Sequence, residues 1–282
     1  MGHVSIDLHL HSTMSDGTLS PHELVVEAAD RGVSLLAITD HDTTAALPEA
    51  GEAARAAGVV LVPGVELDAE SEDYDIHILG YFFNPRHPAL EAALKELRET
   101  RERRNAAILA RLESLGVGVD PERVKAIAGR GFPAGRPHIA AAMVEAGHVA
   151  SRQQAFRRYL ARGRTAFVAR TRLGPDNACA VIRAAGGLAV LAHPAKMGLR
   201  RAAHQVAVSG VDGIEVFHCD HDEKDVADLL DFARERGLMI TGGSDSHGPH
   251  SERPLAIGSV PVPDWVGEEL MARAPEWWKA QL

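Results

Sequence analysis

The stretch Asp7-Leu8-His9-Leu10-His11-Ser12-Thr13-Met14-Ser15-Asp16-Gly17, DLHLHSTMSDG, alternates ligand-type side chains with leucines and then breaks into a polar loop. Residues two apart on a strand face the same way, so Asp7, His9 and His11 share one face while Leu8 and Leu10 pack on the other. Two imidazoles about 7 Å apart along a strand reach one metal ion or two neighbouring ions. Asp16 returns toward them from the loop. Buried polar groups without partners are costly, and coordination of a cation removes that cost. A lone His-x-His pair is more often a hydrogen-bonded feature of a core or surface, and here repetition along the chain changes its weight.

Apolar runs of strand length recur at Val4 to His11, Leu35 to His41, Val59 to Leu67, Asp75 to Phe82, Gly187 to His193, Gly213 to His218 and Leu238 to His247. Amphipathic stretches lie between several of them, such as SPHELVVEAADRG, where Ser20 suits a helix N-cap and Pro21 the first helical position. This alternation predicts parallel βα units, and seven strands approach a barrel. In a parallel barrel every strand ends on one face, which hosts the site. His9 and His11 lie near the end of the first run, His41, Glu66 and His193 end later ones, His77 sits inside DIHILGY, and Asp245 and His247 follow the last. The nine residues His9, His11, Asp16, His41, Glu66, His77, His193, Asp245 and His247 are therefore expected to converge. That set exceeds what one zinc needs and suits a multinuclear site, with Glu66 able to bridge two ions.

Residues 100–167 break the rhythm. LRETRERRNAAILARLESLG reads as a long charged helix, and FPAGRPHIAAAMVEAG and SRQQAFRRYLARG follow as helices with no strand between them. The expected organisation is a barrel domain, 1–99 and 168–282, with a helical insertion at 100–167 after the fourth strand that caps the barrel mouth.

At 282 residues the chain can bury a substantial core. The start MGHVSIDLHLH has no basic segment before an apolar run, and nowhere do 18 apolar residues run together, so neither a secretory signal nor a membrane span is expected and the cytoplasm is the default. Cys179 and Cys219 are too few and too isolated for a disulfide framework and read as packing residues. A net charge of −9 argues against tracking long duplex nucleic acid, but leaves small or short phosphorylated substrates open. Divalent ions would make a positive pocket in an acidic protein, lower the pKa of a bridging water and clamp the oxygens of a displacement at phosphorus.

HLHSTMSDG, ITDHD, PGVE, DIHILGY, LAHP and GSDSH resemble the ordered motifs of the PHP (polymerase and histidinol phosphatase) family, over nearly the whole chain. The resemblance implies a metal-dependent phosphoesterase on a distorted (β/α)7 barrel. It implies three divalent ions, commonly manganese with zinc or iron(II) as other options, on the nine residues named above. More narrowly, SDGTLSPHELV, AITDHDTTAALPEA, ERRN, GRPHIA and YLARG resemble a bacterial subgroup that hydrolyses the 3′-phosphate of nucleoside 3′,5′-bisphosphates. Some of its members also degrade short RNA from the 5′ end. A cytoplasmic enzyme of nucleotide salvage or RNA turnover is implied.

Asp16, Asp245 and His247 are the expected catalytic residues, with His247 or its neighbours stabilising charge at the reacting phosphate. Arg136, before a proline that can start a helix, and His138 beside it are expected to bind a phosphate. Lys196, just after LAHP, is expected to face a phosphate, and His218 to touch substrate rather than serve as a ligand. Asp7 and Asp40 are expected to orient the histidines from behind. Alternatives are a 5′-3′ exonuclease on short RNA, a phosphatase of another small metabolite, or a non-catalytic metal-binding module that serves a partner protein. The last would be marked by missing ligand residues, and none of the nine is missing.

Overall fold

Seven strands form one sheet in chain order in a computed structural model of the protein: β1 (Ser5–Leu10), β2 (Val33–Ile38), β3 (Val60–Ser71), β4 (Tyr74–Tyr81), β5 (Leu188–Leu191), β6 (Gly213–His218) and β7 (Met239–Gly243). The structure describes all residues except 1–4, 72–73, 130–133, 170–172, 199–201, 203, 205–208, 252 and 281–282. Val4 of the first expected strand, and Phe132 and Pro133 of an expected helix, therefore lie outside the described residues. β1 returns to the β7 end of the sheet through the Leu10–Ser246 bridge, His11 N–H donating to Ser246 O at 3.0 Å and Asp245 N–H to His9 O at 2.9 Å. The sheet is thereby nearly closed into the expected distorted barrel.

The strands are not all parallel. β4 runs antiparallel to both β3 and β5. Only two residues separate Ser71 from Tyr74, too few for a parallel crossover of a dozen or more residues. β3 also continues four residues past Leu67, through Asp68-Ala69-Glu70-Ser71, because β4 offers it a partner along that length.

Both faces of β1 are buried: Ile6, Leu8 and Leu10 on one side, Asp7 and His9 on the other. The apolar side belongs to a layer in which Leu10, Leu36 and Ile38 pack with Leu24, Val25 and Ala28 of α1 (Pro21–Asp30) and Ala50, Ala53 and Ala54 of α2 (Leu47–Ala57). Each large side chain buried there contributes about 1.5–3 kcal/mol. α1 starts as its sequence predicts, with Ser20 Oγ accepting from Glu23 N–H at 3.2 Å and Glu23 Oε2 accepting from Ser20 N–H at 2.8 Å. Two glycines allow close strand contact. A Cβ on Gly64 would lie 2.6 Å from Ile38 O, and one on Gly243 would collide with the backbone nitrogen and Cβ of His9.

The chain divides into two compact units, Met1–Ala93 with Leu173–Leu282, and Leu94–Arg172. The first contains the sheet, with α7 (Pro175–Ala184), α8 (Glu223–Arg236), α9 (Asp264–Ala272) and α10 (Glu276–Lys279). The second takes most of α3 (Pro88–Ser114), then α4 (Pro121–Ala128), α5 (Arg136–Glu145) and α6 (Arg152–Ala155), which runs on as a π-helical turn over Phe156–Leu160. Ile108, Leu112, Val124, Ile139, Met143 and Leu160 form a core of its own.

Candidate metal centre

Glu66 is fully buried among five histidines. Its Oε1 lies 2.6 Å from His77 Nδ1 and 3.4 Å from His193 Nε2. Its Oε2 lies 3.3 Å from His9 Nε2, 3.2 Å from His11 Nε2 and 3.3 Å from His41 Nδ1. Asp245 closes one side, with Oδ1 3.2 Å from His11 Nε2 and 3.5 Å from His9 Nε2. Asp16 closes another, with Oδ1 3.3 Å from His247 Nε2 and Oδ2 4.0 Å from His41 Nε2. The structure thus brings the nine residues of the sequence reading into one cluster.

Local structure explains the convergence. The two-residue period of β1 aims His9 and His11 to one side, and the same period on β3 aims Glu66 and Asp68. Register in the antiparallel pair sets His77 opposite Asp68, which puts its ring beside Glu66. His193 and Asp245 follow β5 and β7 with left-handed backbones, φ 31° and 54°. Such conformations cost about 1–3 kcal/mol for residues other than glycine and concentrate at functional sites.

Burial works against charge throughout the cluster, and mutual contact overrides it for most members. Burial would push Glu66 up, but His41, His77 and His9 hold it well below the usual carboxylate range. Burial would lower His11, but the Asp245 and Glu66 carboxylates beside its ring raise it to about 9. His9 and His41 are likewise raised by the carboxylates around them, whereas burial wins at His193 and lowers it to about 4.

The chemistry of this donor set fits divalent cations. Among the described residues, both ring nitrogens of His11, Nδ1 of His41 and Oε1 of Glu66 are buried and lack a partner in hydrogen-bond geometry, despite the short approaches given above. A buried group left so costs about 1–3 kcal/mol, which a cation would remove. Among the described residues, potential ligand atoms gather within 4.8 Å of one another in five groups: His11, Asp16, His41 and His247; His9, His11 and Asp245; His41, Glu66 and His77; His9, Glu215 and His218; and His218, Cys219 and Asp220. A cavity of about 380 Å³ opens beside them, lined by His41, Glu66, Asp75, His77, His193, Lys196, Met197, Asp245 and His247.

Of the residues expected to meet substrate, Lys196 and His218 join this cluster. Lys196 Nζ and His218 Nε2 lie 3.4 and 3.3 Å from Asp245 Oδ2. Arg136 and His138 belong to the Leu94–Arg172 unit. There His138 Nδ1 accepts from Gly135 N–H at 2.9 Å, and the Arg136 guanidinium lies 5.7 and 6.0 Å from the ring centroids of Phe156 and Phe167.

Among the described residues, Asp7 and Asp40 do not accept a histidine ring N–H as expected. Asp7 accepts from the backbone and hydroxyl of Ser244, at 2.9 and 2.6 Å, from Gly258 N–H at 2.8 Å, and at 3.4 Å from the backbone N–H of His9. Asp40 accepts from Ser12 N–H and Oγ at 2.8 and 2.6 Å and from Ser15 Oγ at 2.5 Å. Both fix loops. The carboxylate behind His9 is Glu215, which the sequence reading missed. Glu215 is fully buried, with Oε1 2.9 Å from His9 Nδ1 and Oε2 accepting from His193 N–H at 2.8 Å. Burial raises its pKa, but His9 and His218 draw it down to about 2. Its signal was present: an acid inside the apolar strand GIEVFH, as Asp7 is inside SIDLHL. Asp68, with Oδ1 3.0 Å from His41 Nδ1, was also missed, though it lies two residues after Glu66.

Comparison with known proteins agrees with this geometry. A 5'-3' exoribonuclease of Haemophilus influenzae is 38% identical over 248 residues, covering 86% of this chain and 90% of that protein. A 3',5'-nucleoside bisphosphate phosphatase of Chromobacterium violaceum is 35% identical over 250 residues, covering 87% and 88%. A solved chain from Bifidobacterium adolescentis, provisionally described as a metal-dependent phosphoesterase, superposes with a TM-score of 0.85 at 31% identity and 97% coverage of both chains. The model of the PHP domain matches residues 7–167, so the chain, with its histidine-rich cluster at the strand ends, belongs to the PHP domain family.

Proposed function

We propose that the protein is a metal-dependent phosphomonoesterase that removes the 3′-phosphate of nucleoside 3′,5′-bisphosphates, leaving the nucleoside 5′-monophosphate and phosphate. The observation that carries this reading is Glu66 amid five histidines beside a cavity that also holds Lys196. The similarity to the Chromobacterium violaceum enzyme, whose name states that activity, supports the substrate class. His9, His11, Asp16, His41, Glu66, His77, His193, Asp245 and His247 would hold two or three divalent ions, manganese first among them. When bound, such ions supply positive charge at phosphorus and acidify water.

The chain's own groups supply the rest. Lys196 offers the cavity an ammonium, and contact with Asp245 and Asp220 keeps it charged against burial. His247, its Nδ1 2.9 Å from Asp245 O, has its ring oriented by that carbonyl and its Nε2 directed toward Asp16. It is placed to stabilise charge or hold a proton at the reacting phosphate. Arg136 and His138, at the first turn of α5, are the proposed grip on the second phosphate, where the positive end of the helix dipole also favours an anion.

A second reading, stepwise removal of 5′ nucleotides from short RNA, is favoured by the 38% identity to the Haemophilus influenzae exoribonuclease. Both readings place the protein in the cytoplasm. No helix among the described residues is long and apolar enough to cross a membrane. Phosphate and nucleotide release from a panel of nucleoside bisphosphates, sugar phosphates and short 5′-phosphorylated RNAs with Mn²⁺ decides between them. Turnover confined to sugar phosphates would refute both.

A further inference from the structure

A line of alternating charges leads from the cluster toward solvent. Asp245 Oδ2 lies 3.4 Å from Lys196 Nζ, Lys196 Nζ lies 3.1 Å from Asp220 Oδ2, and Asp220 Oδ1 is held by the Arg253 guanidinium. Among the described residues, Lys196 is the only lysine or arginine lining the cavity beside the histidines. Asp220 is fixed from below, its N–H donating to Nδ1 of buried His218 at 3.0 Å. It therefore ties together three segments that follow different strands: the turn Pro194–Met197 after β5, its own segment after β6, and Arg253 beyond β7.

The ends of this line respond differently when cations fill the cluster. Asp245, one of the residues that would hold them, would then lend its charge to the ions, and Lys196 would keep one carboxylate where it now has two. Asp220 shares a single negative charge between two cations, so Lys196, Asp220 and Arg253 together carry a net +1. A tethered cationic group at the cavity wall is suited to a tetrahedral oxyanion. Without the tether, the flexible lysine stem would have no fixed direction.

We propose that Asp220 is a positioning residue that holds Lys196, and Arg253 behind it, as an anion clamp for the phosphate group presented to the metal cluster. The proposal rests on the phosphoesterase reading but not on the nucleotide part of it, because any phosphomonoester, and free phosphate as product, would meet the clamp. Arg253 and Asp220 act at one remove; Lys196 alone would touch the substrate.

The test uses full-length protein loaded with Mn²⁺, with inorganic phosphate as the probe in calorimetry and a nucleoside 3′,5′-bisphosphate in kinetics. Asp220→Asn keeps the shape and removes the charge. It should weaken phosphate about tenfold and raise KM by a similar factor. Metal content should stay unchanged and kcat should stay within about threefold, a split that damage to the ligands or the fold would not give. Lys196→Ala should weaken phosphate at least as much, yet add little in the Asp220→Asn background, since both changes break one arrangement. Lys196→Arg should retain most of the parent's phosphate affinity. Unchanged phosphate affinity in Asp220→Asn, additive losses in the double variant, or loss of metal would overturn the proposal. A parent that binds phosphate but does not turn over the bisphosphate would count against the nucleotide reading alone, and the phosphate titration would still judge the clamp.

Discussion

Replacing Glu215 by glutamine should weaken metal binding by about 10- to 100-fold, or about 1.4–2.8 kcal/mol, although Glu215 need not touch an ion. The carboxylate accepts twice, with Oε1 2.9 Å from His9 Nδ1 and Oε2 2.8 Å from His193 N. His9 can turn an Nε2 lone pair toward an ion only if its proton sits on Nδ1, and Glu215 keeps it there. Glutamine has one acceptor oxygen, so its amide N–H groups must face one of these two donors. The loss of one charge-assisted hydrogen bond, about 1.5–3 kcal/mol, agrees with the fall in affinity. Calorimetric titration of metal-free protein with Mn²⁺ measures it. In metal-free protein, Glu215 has a pKa of about 2 against an ordinary 4.5. Its contribution is full above about pH 4.5 and is lost as the pH falls toward 2. The stability gap between parent and variant should therefore shrink from about 3 kcal/mol to near zero over that range. A folded Glu215→Gln protein that binds Mn²⁺ within twofold of the parent would refute the reasoning.

Metal loading should release protons at pH 7, because His9, His11 and His41 are raised and each must lose a proton to coordinate. Affinity should then climb between pH 6 and about 9; calorimetry in buffers of different ionisation heat counts the protons, and none released would contradict the raised values. Elemental analysis of protein grown with manganese should give two to three ions per chain, and Asp245→Ala should abolish turnover with the circular dichroism spectrum unchanged. Full activity after chelation would refute a metal mechanism. Arg136→Ala should lower kcat/KM on a nucleoside 3′,5′-bisphosphate by about 10- to 1,000-fold, or about 1.4–4 kcal/mol, and scarcely affect a 3′-monophosphate. Equal losses on both would remove the two-phosphate role.

Most strands and the ligand-type residues at their ends were legible, because apolar runs closing on His, Asp or Glu carry a period that one chain displays by itself. The direction of β4 was not. The apolar run ends at Leu67, and the acidic segment Asp68-Ala69-Glu70-Ser71 has no strand signal of its own; pairing with β4 extends β3 through it, and the short connection that remains fits only an antiparallel turn. Glu215 escaped for a related reason. An isolated acid in a strand has no partner until folding brings His9, 206 residues away, to its side. Asp7 and Asp40 show the converse. Their chemistry suits a histidine, yet nearer serine and glycine N–H groups and hydroxyls claim them, and proximity decides.

The left-handed backbones of His193 and Asp245 have a consequence for attempts to improve the protein. Glycine adopts that conformation without strain, so Asp245→Gly should unfold at a higher temperature than Asp245→Ala, by about 1–2 kcal/mol of stability. A screen for heat resistance alone would favour glycine at 193 and 245, as at Asp42 and Phe82, which share the left-handed backbone, and at the first two it would remove side chains that the proposed function assigns to the ions. Selection on hydrolysis would restore the strained residues each time. Heat resistance and the proposed hydrolysis thus ask for opposite residues at 193 and 245.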